Sequence, residues 1–156
     1  MPMLRDALTT ALNGLLERAE ESFGMPVLEL RPENIVPVVN RLRAEFGFEL
    51  FLDVTAVDYP QRSPRFDVVY HFYSRKHNQR MRLKVSVPED RPVVPTLTPL
   101  YGSARYMERE VHDMYGIGFE GNTDLRPILL YEGFAGHPLR KDYVMDKEQP
   151  IVPYRE

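Results

Sequence analysis

The sequence predicts a two-layer α+β (α/β) domain: a mixed sheet of four to five strands with helices on one face, then an extended irregular C-terminal tail. Three observations lead there. Apolar residues recur at three/four spacing in the opening segment and again after residue 34. Three runs between residues 48 and 87 are rich in β-branched and aromatic residues and are separated by turn chemistry. Beyond Leu130 all periodicity is lost. With 156 residues, 43% hydrophobic and 28% charged, the chain is long enough to bury a core without staples.

The first helix is predicted from Leu4, Leu8, Ala11, Leu12, Leu15, Leu16, Ala19 and Phe23, with Gly24 and Pro26 ending it and Gly14 inside it. A short strand follows at Val27, Leu28 and Leu30. The second helix takes Asn34 as N-cap and runs through Val38, Val39, Leu42 and Phe46 to Gly47, with Pro37 in its first turn, where a missing N–H costs little. Phe48 to Val57 is nearly continuous in apolar residues, the pattern of a strand covered on both faces. Phe66 to Tyr73 and Gln79 to Val87 are the next two strands, joined by Arg75-Lys76-His77-Asn78; the second alternates Met81, Leu83, Val85 and Val87 with polar residues. Pro88, Pro92 and Pro95 mark a rigid connector, and a third helix is expected from about Thr96, across Gly102, to Tyr115. The element order is thus helix, strand, helix, three strands, helix. A domain at 1–131 and a tail at 132–156 divide the chain.

Several chemistries are excluded on composition. The chain has no Cys, which removes disulfides, Cys-ligated zinc, ordinary iron–sulfur ligation and thiol nucleophiles. Its net charge of −3 provides no electrostatic footprint for nucleic acid. No run approaches the roughly 18 apolar residues of a membrane helix, and charges throughout the first 23 residues break any signal-peptide core. A cytoplasmic chain that reaches a membrane only through partners is expected. Neither a P-loop nor a strand–GxGxxG–helix context is present.

Tyr106 to Gly116 reads YMEREVHDMYG and carries the densest chemistry. On a helix, Arg109 and Asp113 are i,i+4 partners, as are Glu108 and His112. One reading is an acid/base or metal site at Glu108, His112 and Asp113; the preferred one is an ion-pair face that docks onto something. Arg140-Lys141-Asp142 forms a compact charged patch suited to a partner's carboxylates. The tail contains Phe134, Leu139, Tyr143, Val144, Met145, Ile151, Val152 and Tyr154, too apolar for a solvated linker. Ordering about 25 residues costs about 25–50 kcal/mol of backbone entropy, or about 1,000–2,000 Å² of apolar burial at about 25 cal/mol per Å². A partner surface is the simplest source of that area; the alternative is a tail wrapped back over its own sheet.

The Glu108-Arg109-Glu110 triplet, followed by Asp113, two bulky apolar residues and Arg126, resembles the signature of the 30 kDa (C-type) subunit of respiratory complex I. The similarity extends back to Leu52-Asp53-Val54-Thr55-Ala56-Val57-Asp58-Tyr59. It extends forward through Asp124-Leu125-Arg126-Pro127-Ile128-Leu129 to Gly136-His137-Pro138-Leu139-Arg140-Lys141-Asp142-Tyr143, so that it covers most of residues 33–143. One position departs: the family pattern has His or Lys where this chain has Asn122, which can donate a hydrogen bond but supplies no charge. The resemblance implies a peripheral-arm subunit on the cytoplasmic face of the inner membrane, with no cofactor, no metal and no active site of its own. It implies that FMN and iron–sulfur clusters carrying electrons from NADH to quinone reside in partner subunits of a proton-pumping enzyme. The chief partners implied are the quinone-site (D-type) subunit and the cluster-bearing (B-type) Fe–S subunit. Glu108, Arg109, Glu110, Asp113, Arg126, Arg140, Lys141 and Asp142 are then expected in internal ion pairs or intersubunit contacts. Two alternatives stand beside this: an equivalent scaffold in a membrane-bound hydrogenase-type complex, and a freestanding small hydrolase using His112.

Overall fold

The structure, a computed structural model, describes residues 4–149. Its elements are α1 (Leu4–Ala11), β1 (Arg18–Ser22), β2 (Met25–Leu30), a 3₁₀ turn (Pro32–Asn34), α2 (Ile35–Phe46), β3 (Leu50–Asp58), β4 (Phe66–Ser74), β5 (Gln79–Val87), β6 (Val93–Pro95), α3 (Ala104–Tyr115) and β7 (Gly118–Glu120). The main sheet runs β1-β2-β5-β4-β3, all neighbours antiparallel except the parallel β2–β5 pair. A small parallel pair joins β6 to β7. The fold class is the one the sequence predicts.

One core holds it together. Phe66, Val68, Tyr70 and Phe72 of β4 and Met81, Leu83, Val85 and Val87 of β5 face Leu8, Val38, Leu42, Ala104 and Val111 of the helices. The strand residues have a period of two, so, among the described residues, one sheet face takes all three helices and the other takes none. Burying each such Leu, Val or Phe contributes roughly 1.5–3 kcal/mol. Phe51, Phe72 and Tyr101 cluster at centroid distances of 5.3 to 5.9 Å beneath α3, and the Tyr101 hydroxyl donates to the Phe48 carbonyl.

Four sequence expectations are corrected. The first helix stops at Ala11 rather than Phe23, and residues 18–22 form β1. In Glu17–Ser22 only Ala19 is apolar, so a helix there has little to bury, while β2 offers a free edge; the Glu17 amide donates to Glu29, and the pairing continues through Arg18–Glu29. Gly14, left-handed at φ 82°, sits in the break. Asn34 caps nothing with its side chain; its amide donates instead to the Leu15 carbonyl at 2.9 Å. β3 is an edge strand with alternating burial, not a strand covered on both faces. The third helix begins at Ala104 rather than near Thr96, because the Thr96 amide continues the β6–β7 pairing by donating to the Glu120 carbonyl and the Leu97 amide is taken by the Glu108 carboxylate.

No regular element follows β7 in the described residues, as expected of the tail. Ile151, Val152 and Tyr154 lie outside the described residues.

Candidate functional site

The C-terminal end of α3 is where the charged signature, the tail and the β3–β4 hairpin meet. An α-helix leaves its last four carbonyls without partners. Here Gly116 N–H donates to His112 O at 2.8 Å, and the tail supplies the other three donors. His137 Nδ1 meets Asp113 O at 2.9 Å, Leu139 N–H meets Met114 O at 3.1 Å, and Arg140 Nε meets Tyr115 O at 2.6 Å. A guanidinium at this end also complements the helix dipole. Gly116 makes the arrangement possible twice over. Its φ of 71° ends the helix, and a Cβ there would stand 2.5 Å from His137 Nε2 and 2.8 Å from Arg140 Nη2.

The tail then crosses to the sheet. The Lys141 N–H donates to Asp58 Oδ2 at 2.8 Å, and Asp142 reaches Arg65 at 2.8 Å. Arg65 and Asp58 form a bidentate pair, at 2.8 and 2.9 Å, with side chains 5% and 1% exposed. Glu89 adds a third carboxylate at 2.5 Å. Arg65 holds the Asp58 carboxyl below its ordinary range and does the same for Asp142, while its own guanidinium is pushed further up. The guanidinium carbons of Arg65 and Arg140 are 5.0 and 5.1 Å from the ring centre of Phe66. Neither Asp58 nor Arg65 is among the site residues the sequence predicts. The signal is the hairpin itself: Asp58 pairs with Phe66 in register, which brings Arg65 beside it.

Within α3 the predicted ion pairs do not form. Glu108, fully buried, accepts from Thr96 Oγ1 at 2.6 Å, Leu97 N–H at 2.8 Å and Asn122 Nδ2 at 2.8 Å. All three donors are neutral, and burial pushes the Glu108 carboxyl up. Arg109 donates to the carbonyls of Arg126 and Pro127, each at 2.8 Å, rather than to Asp113. Asp113 Oδ2 accepts three successive backbone N–H groups, from Ile128 (2.7 Å), Leu129 (3.0 Å) and Leu130 (3.3 Å). Arg126 pairs with Asp124, which also takes Arg105; Arg126, then Arg105, holds that carboxyl below its usual range. Glu110 is exposed on the helix. The signature therefore pins loops to a helix, with most of its hydrogen bonds made to backbone. The partners of Glu108, Arg109 and Asp113 are not the ones that sequence spacing pairs them with.

The acid/base reading is not assembled either. His112 Nδ1 meets the Ile117 carbonyl at 3.0 Å, and Glu108 is sealed among other donors. His112, Asp113, Tyr131, Phe134 and His137 do line a hollow of about 160 Å³, but among the described residues no group of three His, Asp or Glu side chains is arranged to hold a metal ion.

Residues 28–149 match the family model described as the respiratory-chain NADH dehydrogenase 30 kDa subunit. The chain belongs to this family. The C-type subunits of NADH-quinone oxidoreductase from Ruegeria pomeroyi and Agrobacterium fabrum are 51% and 47% identical over 78% and 85% of this chain. The chain spans about two thirds of their length, 62% and 67% respectively. Among solved structures, a trypsin-resistant fragment (1–134) of Nqo5 superposes with a TM-score of 0.70 at 34% identity, over 79% of this chain and 99% of that one. A chain of the membrane-bound sulfane sulfur reductase, an archaeal respiratory membrane complex, reaches 0.78 at 25% identity, over 90% and 83%. The Asn122 side-chain amide gives Glu108 a hydrogen bond without supplying a charge. Among the described residues of this 30 kDa subunit homologue, no helix is long and apolar enough to cross a membrane.

Proposed function

We propose that the chain is a non-redox structural subunit in the peripheral arm of a proton-pumping NADH–quinone oxidoreductase, on the cytoplasmic face of the membrane. Electron transfer through FMN and iron–sulfur clusters belongs to its partners, and its chief neighbours are the quinone-site (D-type) subunit and the cluster-bearing (B-type) Fe–S subunit. One observation carries the reading. The segment after β7 is anchored by its backbone and charged groups, yet turns apolar side chains outward: Leu129 is 62%, Leu139 51%, Val144 59% and Met145 96% exposed. A tail that had only its own body to cover would bury these side chains and expose its charges. Family membership supports the same reading, since the relatives are named as subunits of this enzyme complex.

The test is a pull-down of the tagged full chain from solubilised membranes. Partner subunits and NADH–quinone activity are expected with it, and Leu139→Asp with Met145→Asp should lower their yield by at least about tenfold, as loss of a buried hot spot does, without lowering the melting temperature of the chain. Recovery of this polypeptide alone counts against the proposal. A second reading, the same scaffold in a hydrogenase-type or sulfur-reducing membrane complex, is favoured by the likeness to the archaeal reductase chain. Presence of NADH-oxidising subunits in the pull-down decides between them. The hydrolase reading has less support, because His112 and its neighbouring carboxylates hold backbone groups rather than one another.

A further inference from the structure

Among the described residues, no helix or strand packs on the sheet face away from the helices. Its residues alternate with those of the core: Asp67, Val69 and His71 on β4, and Arg82, Lys84 and Ser86 on β5. Register aligns them in rows. Glu20, Val27, Arg82, His71 and Asp53 form one row across all five strands, and Arg18, Glu29, Lys84, Val69 and Thr55 the next. Val27 and Val69 are buried on this face, outside the main core cluster, with Glu20 and Arg82 flanking Val27 and Lys84 and Thr55 flanking Val69 in register. Thr55, Val57, Tyr59, Val69, His71 and Arg82 line a groove of about 310 Å³ on this face.

Most charges on the face are paired; among the described residues Asp53 and Arg80, both exposed, and the half-buried Arg82 form no ion pair. Lys84 lies 3.8 Å from Glu20 and 3.7 Å from Glu29, Arg18 pairs with Glu20 at 2.9 Å, and Asp67 takes Arg62 and Ser86. Arg82 has a buried Nε with no acceptor, and among the described residues no carboxylate forms an ion pair with it. A partly buried guanidinium without an acceptor is an unfavourable arrangement, relieved when a carboxylate reaches its planar fork. The groove floor is apolar at Val57 and Val69, which suits the aliphatic part of an acidic side chain, and no helix closes over it.

We propose that this groove docks an acidic segment of a neighbouring protein subunit and that the Arg82 guanidinium receives one of its carboxylates. The proposal rests on the scaffold reading above and adds to it a second contact surface, separate from the C-terminal segment. Burial and Arg82 together hold the His71 imidazole below its ordinary value, so His71 beside the groove is neutral and reactive near pH 7 unless covered.

The test uses the assembled complex. Arg82→Lys in the full chain places an amine in the groove, and a zero-length carbodiimide joins it to any carboxylate in contact. An isopeptide between position 82 and an Asp or Glu of a second polypeptide is expected. In the unsubstituted complex, diethylpyrocarbonate should modify His71 about tenfold more slowly than in the free chain, as for a groove occupied nine-tenths of the time. Coupling only to carboxylates of the same chain (Asp53, Asp67, Glu20 or Glu29), or equal His71 reactivity in both forms, overturns the proposal. Protection that disappears on delipidation overturns it too and assigns the groove to an anionic lipid. The His71 measurement needs no substitution, so failure of the variant to assemble leaves the test intact. Partner recovery is scored in the same preparation: an open groove in an intact complex counts against this surface alone, and a missing complex counts against the scaffold reading as well.

Discussion

Removing the Asp113 carboxylate tests the central feature of α3, a single oxygen that orders three consecutive backbone amides. The bonds to Ile128 and Leu129 are 2.7 and 3.0 Å, while that to Leu130 is 3.3 Å and weaker. A hydrogen bond to a charged group contributes about 1.5–3 kcal/mol net. Ile128 and Leu129 are themselves exposed, so water can reach their freed amides and the lower figure applies. Two bonds at about 1.5 kcal/mol each predict a loss of about 3 kcal/mol in Asp113→Ala, more than a hundredfold in the opening equilibrium of the loop. Asp113→Asn keeps one acceptor oxygen without charge, and neutral bonds are about half as strong, so its loss is about 1.5 kcal/mol. Hydrogen exchange read by mass spectrometry over residues 124–131 measures this directly, with urea unfolding reporting whether the opening is local or global. Unchanged exchange at residues 128–130 in Asp113→Ala would refute the claim that this carboxylate holds the loop.

Gly116→Ala should cost at least about 2 kcal/mol, combining left-handed strain with a Cβ driven into His137 and Arg140, and should expose Arg140 and Lys141 to trypsin. Arg65→Ala leaves Asp58 buried without its partner and should cost about 3–5 kcal/mol in urea unfolding. Because Arg65 lowers the folded-state value of Asp58, this stabilisation is present above the unfolded carboxyl value and fades as pH falls through the folded one; the acid limb of the melting profile should flatten in the variant. Glu108 has the opposite sign. Its folded-state value is raised, so stability is greatest below the unfolded value and declines as pH rises through the folded one; Glu108→Gln should abolish that decline, and Asn122→Lys should reverse part of it in melts from pH 4 to 8.

How much of the fold and site is legible in the sequence depends on how local the deciding interaction is. The strands from β3 to β5 and the helix α2 lie close to their predicted bounds, since alternation and three/four spacing are properties of a few neighbouring residues. The span from Glu17 to Ser22 departs from its predicted helix because its conformation is decided by a free edge on β2, a tertiary fact that periodicity does not carry. At the site, sequence points to Glu108, Arg109, Glu110, Asp113, Arg126, Arg140, Lys141 and Asp142; all but the exposed Glu110 form hydrogen bonds or ion pairs, Lys141 through its backbone N–H. Their partners are out of reach for a reason of chemistry. Backbone N–H and C=O groups are the same at every residue, so a side chain that binds backbone leaves no complementary residue type to find. The Asp58–Arg65 pair escapes for the converse reason: both residues are visible, but a loop of turn residues separates them and only the hairpin register unites them.

That distinction bears on what the fold is suited to do. Acid–base or metal chemistry requires side chains with spare valence turned toward a common point. In α3 the buried and half-buried charged groups are spent on holding chain: Glu108 on the Thr96–Leu97 turn, Arg109 on Arg126 and Pro127, Asp113 on the 128–130 loop, and the helix end on residues 137–140. These pins run from one helix to segments that have no ladder or helix of their own, so they substitute for secondary structure in ordering a long irregular stretch. The outward side chains of that stretch are left free of internal duties, with Leu129, Leu139, Val144 and Met145 held on a fixed backbone. A surface ordered beforehand loses less entropy when a second polypeptide covers it, which strengthens binding without any added contact. Holding the backbone of the stretch that carries these outward apolar side chains is what the α3 signature achieves.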